Sequence, residues 1–343
     1  MTSNFSTMYR NTCGWAPGLT KSFRNGSRKL WGEYGTNLQN QPDELRRIYI
    51  PDDGKILVQV DQSGAEALIV AHEAPAGIYR QLFQHGVKVH SWLALHLFRE
   101  YWMKNTQHDI IHLCGLNIPD LAGHPEWKKL AKVIKESDGW DAKRRFYFIA
   151  KMVVHASSYG MKGPTFQLNV LQKSQGSVVL TRKQADDFLQ MFHDLFPEIR
   201  LWHNIIKEQL LANRTLRNLF HYPRYFSGYL DDKLWKEAYA FIPQSTVGCI
   251  SNIALCNLQS HIEETGVDWD ILNNCHDSYL AQVPVAEVND AVRVMLSLME
   301  QDLVSTSGVK YRMKAEASVG MNWGKQNKET NAEGMDEYKL LAV

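Results

Sequence analysis

Residues 56–72, with the sequence ILVQVDQSGAEALIVAH, constrain the fold more than any other stretch of this chain. The apolar, β-branched run at 56–60 predicts a buried strand, and Ser63 and Gly64 break it before a helix predicted over 66–72. Asp61 therefore follows a buried strand and precedes a helix N-terminus, where a carboxylate is costly unless it is paired or binds a metal ion. Two interpretations stay open at this point: a metal-binding aspartate, or a simple helix cap in which Ser63 and Glu66 form a capping box.

Composition sets limits without indicating a function. A chain of 343 residues with 44% hydrophobic and 22% charged residues is typical of a globular protein with two domains or one elaborate domain. The 38 Lys and Arg residues nearly balance the 37 Asp and Glu residues, so any basic surface for nucleic acid must be local. Five scattered cysteines without a C-x-x-C pair indicate reduced thiols and a cytoplasmic location. No signal peptide or long apolar run is visible, which predicts no membrane segment.

The first 55 residues are polar and rich in turn-forming residues. Four basic residues lie there in a Gly/Ser/Asn-rich stretch: Lys21, Arg24, Arg28 and Lys29. This stretch is either a solvated loop or a segment that follows a phosphate backbone.

Residues 141–159 predict one helix with an unusual polar face. Tyr147, Lys151, His155 and Tyr159 recur every four residues and line one stripe, and Gly160 predicts the helix end. A solvated face with aromatic residues is the simpler interpretation. However, Lys151 has no acidic residue three or four positions away, and an ammonium beside flat rings suits a nucleotide pocket.

A second carboxylate is presented in a similar way near the end of the chain. Residues 269–283 predict two strands around a tight turn that carries Cys275, His276, Asp277 and Ser278. Alone, this is most simply a polar hairpin turn. Elsewhere the pattern predicts a helical region at 78–101, a less regular stretch at 104–142, two amphipathic helices over 181–211, an Arg/aromatic stretch at 217–226 and an apolar helix over 238–258 that begins irregularly.

Together these stretches resemble DNA polymerases of family A, the polymerase-I-like enzymes, over nearly the whole chain. Asp61-Gln-Ser-Gly-Ala-Glu66 resembles motif A, D-Y-S-x-x-E. Lys151-x-x-x-His155-x-x-x-Tyr159-Gly160 resembles motif B, and His276-Asp277-Ser278 resembles motif C, H-D-E. Several landmarks appear in the family's order: GTNLQN at 35–40, Phe196-Pro197, PQST at 243–246 and VGMNW at 319–323.

The resemblance implies an α+β fold, with an antiparallel palm sheet and helical fingers of a right-hand polymerase. The implied domains are a palm segment with a truncated thumb junction at 1–62, fingers at 63–212 with an insertion near 104–142, palm with motif C at 213–328, and a polar tail at 329–343. Most of the thumb and any exonuclease domain are expected to be absent. A fragment, a split-gene product and a naturally minimal, phage-like polymerase in a host cytoplasm all fit this expectation.

The implied reaction is attack of a primer 3′-hydroxyl on the α-phosphate of a dNTP. The resemblance assigns catalysis to Asp61, Asp277 and Lys151, and two Mg²⁺ ions, replaceable by Mn²⁺, to Asp61, Asp277 and the backbone carbonyl of Gln62. Nucleotide binding is assigned to a set of seven residues: Glu66 as steric gate, His90, Arg144, Arg145, Lys151, His155 and Tyr159. Primer–template contacts are assigned to Arg224, Gln244, His276 and Gly160.

Four positions depart from the family pattern. Gln62 replaces the motif A tyrosine, His155 the motif B aromatic residue, and Ser278 the motif C glutamate. Tyr147 stands where the family has an arginine, so Arg144 or Arg145 is expected to reach the same phosphate. These departures affect expected fidelity, sugar selectivity and rate and leave the reaction class unchanged.

The expected partners are primer–template DNA and dNTPs, with no membrane, and a thumb, clamp or exonuclease subunit is an open possibility. Two alternatives stay open: a single-subunit RNA polymerase, against which Glu66 and NLQN argue, and a non-catalytic DNA-binding half that needs a thumb-bearing partner.

Overall fold

The computed structural model describes residues 14–16, 20, 22, 24–28, 37–139 and 143–340. Its helices are α1 Asp43–Arg46, α2 Ala65–Glu73, α3 Ile78–Gln84, α4 Val89–Leu97, α5 Arg99–Asn105, α6 Ile110–Gly115, α7 Ile118–Gly123, α8 Pro125–Glu136, α9 Phe146–Ser158, α10 Gly163–Lys173, α11 Arg182–Leu195, α12 Pro197–Asn213, α13 Asp232–Thr265 and α14 Val288–Met299. Its strands are β1 Gly14–Ala16, β2 Gly26–Arg28, β3 Lys55–Gln62, β4 Thr215–Arg217, β5 Pro223–Tyr225, β6 Asp270–Asn274, β7 Ser278–Pro284, β8 Gln301–Val304, β9 Lys310–Met313, β10 Ala315–Gly320 and β11 Asp336–Glu337.

A five-stranded antiparallel sheet organises the first of two compact units. Its strand order is β11-β10-β3-β7-β6, so β3 is the central strand. Leu57, Val58 and Val60 of β3 are fully buried because both sheet faces are covered at this strand. Leu57 packs with Leu280 and Trp323 on one face. Side chains alternate along the strand, so Gln59 and Asp61 share the face of Leu57.

The second unit is mainly helical, and α9 packs against its core through one side. One side of α9 is apolar, and Ile149, Met152 and Val153 are among its buried residues. This side packs against α4, α10 and α11. The opposite side, which carries Lys151 and His155, is exposed. Such a division is what an amphipathic helix at the edge of a helical core requires.

The two units divide the chain differently from the predicted domains. The first comprises Met1–Ala65, Gln244–Leu303 and Lys310–Val343, and the second comprises Glu66–Pro243 and Val304–Val309. Residues 213–243 therefore cluster with the helical unit, although the predicted palm begins at 213. The functional division into palm and fingers stays a prediction.

Three secondary-structure expectations need correction. The described residues of the range 104–142 are largely helical, because α6, α7 and α8 lie within 110–136. The helix expected from 141 begins at Phe146, after a turn at Lys143 and Arg144. The helix expected to begin irregularly near 242 is instead continuous through Pro243 as part of α13. By contrast, the helical region expected at 78–101 is confirmed and consists of three helices, α3, α4 and α5.

Other expectations are confirmed. The break at Phe196-Pro197 separates α11 from α12, with Pro197 at the first helical position, where its missing N–H has no cost. The Arg/aromatic stretch forms the hairpin β4–β5. Lys21, Lys29 and the start of the GTNLQN landmark lie outside the described residues. Among the helices that the structure describes, none has the length and apolar character needed to cross a membrane.

Candidate active site

A cavity of about 390 Å³ in the first unit collects the predicted carboxylates. Ten residues line it: Gln39, Arg46, Gln59, Asp61, Cys275, His276, Asp277, Ser278, Glu316 and Ser318. Strand register places them there. Asp61 lies directly opposite Ser278 of β7 on one side and directly opposite Glu316 of β10 on the other. The backbone N–H of Gln62 donates to the carbonyl of Asp277 at 3.0 Å, so the two aspartates lie on neighbouring chain segments at one end of the sheet.

The turn that carries Asp277 is held by its own backbone. The N–H of Cys275 donates to the carbonyl of Ser278 at 2.7 Å, and the N–H of Asp277 donates to that of Cys275 at 2.9 Å. Between them, His276 has φ of +67°, in the left-handed region that non-glycine residues adopt infrequently. The carboxylate of Asp277 is thereby presented at the apex, where it is exposed.

A buried hydrogen-bond chain joins motif A to motif C. The side-chain amide of Gln62 donates to Ser251 Oγ of α13 at 2.8 Å, and that hydroxyl donates to the carbonyl of His276 at 2.8 Å. The amide also donates to the carbonyl of Val247 at 3.2 Å. Gln62 and Ser251 are each only 1% exposed. The departure from the family's motif A tyrosine thus has a structural use, because Gln62 supports the strained residue beside Asp277.

The VGMNW landmark supports the same end of the sheet through Trp323. Trp323 donates through Nε1 to Gln59 Oε1 at 2.9 Å, and Gln59 Nε2 donates to Ser278 Oγ at 3.3 Å. Arg46 lies over the Trp323 ring at 4.8 Å. Ser278 replaces the motif C glutamate, and these contacts hold it in the wall of the cavity.

The NLQN landmark holds the strand that leads into motif C. Buried Gln39 donates through Nε2 to the carbonyl of Asn274 at 2.9 Å and to that of Asn25 at 3.0 Å. Its Oε1 accepts from the N–H of Ser27 at 2.9 Å. The end of β6 is therefore tied to the segment around β2.

The cavity raises the pKa of the Cys275 thiol to about 12. Burial is the main cause, and the negative charges of Asp277 and Asp61 add to it, while Arg46 opposes it. Cys275 is therefore a neutral thiol at physiological pH and is not a thiolate nucleophile.

In the second unit, α9 presents the predicted stripe. Lys151 and His155 are exposed, and Tyr147 and Tyr159 are half-buried. The Tyr159 hydroxyl donates a hydrogen bond to the carboxylate of Glu66, which fixes the predicted gate residue beside the last turn of α9. The His155 and Tyr159 rings meet edge to face at 5.1 Å.

His90 lies beside the start of this stripe. Its ring meets Tyr147 edge to face at 5.6 Å, and Nδ1 lies 3.5 Å from the Tyr147 hydroxyl. Burial lowers the pKa of His90 to about 4, with further lowering by the positive charges of Lys151 and Lys88. The imidazole is neutral at pH 7, so without ligand it is a hydrogen-bonding group and carries no charge.

The start of α9 is capped from outside the helix. Asp138 accepts from the N–H groups of Tyr147 and Phe148 at 3.0 and 2.9 Å, which satisfies donors that the helix itself leaves unpaired. Arg145, just before the helix, has φ of +25° and lies 4.3 Å from the Phe148 ring. Arg144 is exposed and lies 5.5 Å from the Tyr101 ring. Burial raises the pKa of Asp138, and the two N–H groups and Arg145 oppose this shift.

The predicted primer–template residues lie in different surroundings. Arg224 forms an ion pair with Glu237 and lies 4.2 Å from the Phe226 ring, so its guanidinium is largely covered. Gly160 has φ of +66°, and a Cβ there would lie 3.1 Å from the Tyr239 ring. Gln244 is half-buried in α13. The assignment of these residues and of His276 to DNA contacts stays a prediction.

Sequence reasoning missed three residues that the structure places at or next to these groups. Glu316 lines the cavity, Ser251 links motif A to motif C, and Asp138 caps α9. Only Glu316 had a usable signal, since alternation in AEASVG places it two positions from Ser318 on the same face of a strand. Ser251 sits inside an apolar helix and Asp138 ahead of a misplaced helix start, so neither had one.

Comparison with known proteins decides the family. A model described as DNA polymerase family A matches residues 127–325, which is more than half of the 343 residues. The chain belongs to DNA polymerase family A. Lys151 and Asp277 lie inside the matched residues of this family A chain, and Asp61 precedes them.

Two curated relatives of this family A chain are distant in sequence. It is 20% identical over 299 residues to DNA polymerase I of Caldicellulosiruptor bescii, covering 84% of this chain and 29% of that protein. It is 21% identical over 299 residues to the thermostable DNA polymerase I of Thermus aquaticus, covering 84% and 30%. The chain thus spans under a third of the length of these curated relatives.

A solved structure supports the fold. The POL domain of Pol1 from M. smegmatis, in complex with DNA primer-template and dNTP, aligns with a TM-score of 0.64 at 16% identity, over 91% of this chain and 48% of that chain. This likeness confirms the α+β fold class with helices and an antiparallel sheet.

The cavity residues suit a hard divalent cation. Asp61, Asp277 and Glu316 offer carboxylate oxygens, and Cys275 is held as a neutral thiol. Within the described residues, no three metal-ligating side chains are grouped as a complete site. Mg²⁺ is usually bound by one or two carboxylates together with substrate phosphates, so a pair of aspartates fits it.

Proposed function

We propose that this chain carries out template-directed DNA synthesis, adding dNMP from dNTP to a primer 3′-hydroxyl with release of pyrophosphate. The observation that carries the proposal is the register of β3 and β7, which places Asp61 and Asp277 on adjacent segments at one end of the sheet within one cavity. Family membership supports the same reaction. DNA primer-template and dNTP, the ligands of the M. smegmatis complex, are proposed as ligands of this chain.

Asp61, Asp277 and the backbone carbonyl of Gln62 would hold two Mg²⁺ ions, for which Mn²⁺ can substitute. When bound, such ions lower the energy of the charge that develops on the attacking and leaving oxygens. The protein keeps both carboxylates in place before the substrate arrives, because strand register and the Gln62–Ser251–His276 chain fix the segments that carry them. Such preorganised charge is usually the largest contribution to catalysis.

The groups on α9 are proposed to bind the incoming nucleotide. Lys151 would meet the triphosphate and give a proton to the leaving pyrophosphate, with Arg144, Arg145 and His90 contributing to phosphate binding. His90 is neutral without ligand, and the negative triphosphate would raise its pKa and strengthen this contact. Tyr159 and His155 would lie beside the base and sugar.

Glu66 is proposed to exclude ribonucleotides. Its carboxylate accepts from the Tyr159 hydroxyl, so it is held in one position and can occupy the space that a ribose 2′-hydroxyl needs. This argues for a DNA polymerase over the RNA polymerase alternative.

The test is single-nucleotide incorporation by Asp61→Asn and Asp277→Asn. Each change is nearly isosteric and removes one negative charge from the cavity, so we expect unchanged melting temperature and loss of incorporation. Asp187→Asn, at an exposed position of α11, is the matched control and should behave like the parent. Near-parental rates in either cavity variant would overturn the assignment, and a parent chain without activity would favour the non-catalytic DNA-binding alternative.

A further inference from the structure

Helix α8, inside the expected fingers insertion, has one strongly basic face. Its sequence, PEWKKLAKVIKE, contains four lysines and two glutamates. Trp127, Leu130 and Ile134 are buried on one side. Lys128, Lys129, Lys132 and Lys135 are all exposed. At about 100° per residue, Lys128, Lys132 and Lys135 fall within a sector of about 60° and span about 10 Å along the axis.

The positive charges of these lysines have few negatively charged neighbours in the described part of the chain. Lys132 lies 3.8 Å from Glu136 across one turn, with both side chains exposed. Lys128, Lys129 and Lys135 have no side-chain partner within the part of the chain that the structure describes. Lys132 also has like-charged neighbours at Lys128, Lys129 and Lys135, three or four residues away. Like charges three or four residues apart on a helix repel each other, so the face lowers the stability of an isolated helix.

We propose that the lysine face of α8, formed by Lys128, Lys132 and Lys135, binds the phosphate backbone of a DNA duplex. Charge complementarity supports this occupant, since an aligned row of ammonium groups releases counterions from a polyanion. The chain as a whole has a formal charge of only +1, so such a concentrated face is a local feature. This inference rests on the proposed function, which supplies the DNA.

A duplex suits this face better than a single strand. Sites for single-stranded nucleic acid combine basic residues with aromatic platforms on which bases stack. The aromatic residue of α8, Trp127, is 4% exposed and packed inward, so the helix offers ammonium groups without a stacking surface. Contacts of this kind position DNA and read no sequence.

The face is connected to the helix that carries Lys151. Helix α8 packs against α9 and α4. The 3₁₀ turn that follows it, Ser137–Gly139, supplies Asp138, which accepts from the first N–H groups of α9. A basic surface on α8 is therefore fixed to the start of α9 within the same unit.

The experiment measures duplex binding as a function of salt by fluorescence anisotropy, with a short blunt duplex as probe and no nucleotide. For the triple variant Lys128→Gln, Lys132→Gln and Lys135→Gln, the slope of log Kd against log salt should fall by about 2–3, because each lost phosphate contact removes about 0.9. The Kd at moderate salt should rise at least ~10-fold for the same reason. The corresponding Lys→Arg triple keeps the charge and should bind like the parent.

The matched control is Lys173→Gln, Lys183→Gln and Lys233→Gln, three exposed lysines on three other helices. It removes the same net charge. The slope of log Kd against log salt should stay within about 0.9 of the parent slope, which corresponds to one phosphate contact. Equal losses in both triples would overturn the proposal in favour of diffuse charge, and a parental slope in the α8 triple would overturn it outright. The same measurement is repeated with a single-stranded probe. If the α8 triple loses affinity only for the single strand, the assignment to a duplex is contradicted.

Failure of this inference can be told apart from failure of the proposed function. A parent chain that extends primers while the α8 triple keeps the parental slope removes only the α8 proposal. A parent chain that binds no duplex at low salt overturns both. Melting temperatures show whether the α8 Gln triple is folded. Because the substitutions relieve repulsion between like charges, we expect this triple to be at least as stable as the parent.

Discussion

Replacing Ser251 with alanine tests whether the buried chain Gln62–Ser251–His276 supports the active site. The change removes a hydroxyl that accepts from Gln62 at 2.8 Å and donates to the carbonyl of His276 at 2.8 Å. With two buried hydrogen bonds lost at about 1 kcal/mol each, and partners left in a dry environment, we expect unfolding to become easier by about 2–3 kcal/mol. Urea unfolding measures this loss.

The same change should also loosen the turn that holds Asp277. His276 keeps φ of +67°, a conformation that persists only when its surroundings hold it, and its carbonyl loses that support. A displaced Asp277 would weaken metal binding, so the Mg²⁺ concentration for half-maximal incorporation should rise several-fold. Ser251→Thr keeps the hydroxyl and should restore much of both properties.

Ser174→Ala is the control for stability alone. Ser174 is also buried, and its Oγ accepts from the N–H of Val178 at 3.0 Å in the other unit. We expect it to lose stability without any change in Mg²⁺ dependence. The reasoning is refuted if Ser251→Ala is destabilised like this control and retains parental Mg²⁺ dependence.

Three further variants test individual contacts. Glu66→Ala should raise incorporation of rNTP relative to dNTP, whereas a pure capping role predicts a loss of about 1 kcal/mol in stability at unchanged sugar selectivity; measuring the rNTP/dNTP ratio beside the melting temperature separates the two. Glu316→Gln removes one negative charge from the cavity and should raise the Mg²⁺ requirement a few-fold in a titration of incorporation rate, and an unchanged requirement would place Glu316 outside the metal site. Burial lowers the pKa of His203 and of His193 to about 4, from an ordinary value of 6.5, so the unfolded chain takes up protons first and stability should fall as pH drops from about 6.5 to 4. His203→Gln, which can still donate to the Ser158 carbonyl, should flatten this dependence in urea titrations at several pH values, and an equally steep loss would contradict the assignment.

The sequence predicted the local elements that carry strong periodic or turn signals. The β3–α2 unit, the stripe on α9 and the β6–β7 turn were found because alternation, four-residue spacing and turn residues are local properties. The region at 104–142 was misjudged since its three helices are short and capped by residues such as Asp109 and Asn117, which also favour loops. Pro243 suggested an irregular helix start, yet α13 continues through it because neighbouring contacts outweigh the local preference.

Long-range partners had no local signal. That Gln62 meets Ser251, or that Glu316 lies opposite Asp61, depends on strand order and helix placement, which no spacing along the chain determines. The burial of the Arg224 guanidinium could likewise not be predicted from the sequence, because its partner Glu237 comes from α13. The nucleotide-binding and DNA-binding roles assigned to individual residues stay predictions.

The most direct test of the central claim is primer extension by the purified chain with Mg²⁺ and each nucleotide separately. We expect addition of the one dNTP that pairs with the template, little addition of the matching rNTP, and none by Asp61→Asn or Asp277→Asn. Extension that ignores the template, or that proceeds equally in both aspartate variants, would contradict the assignment of this cavity to templated DNA synthesis.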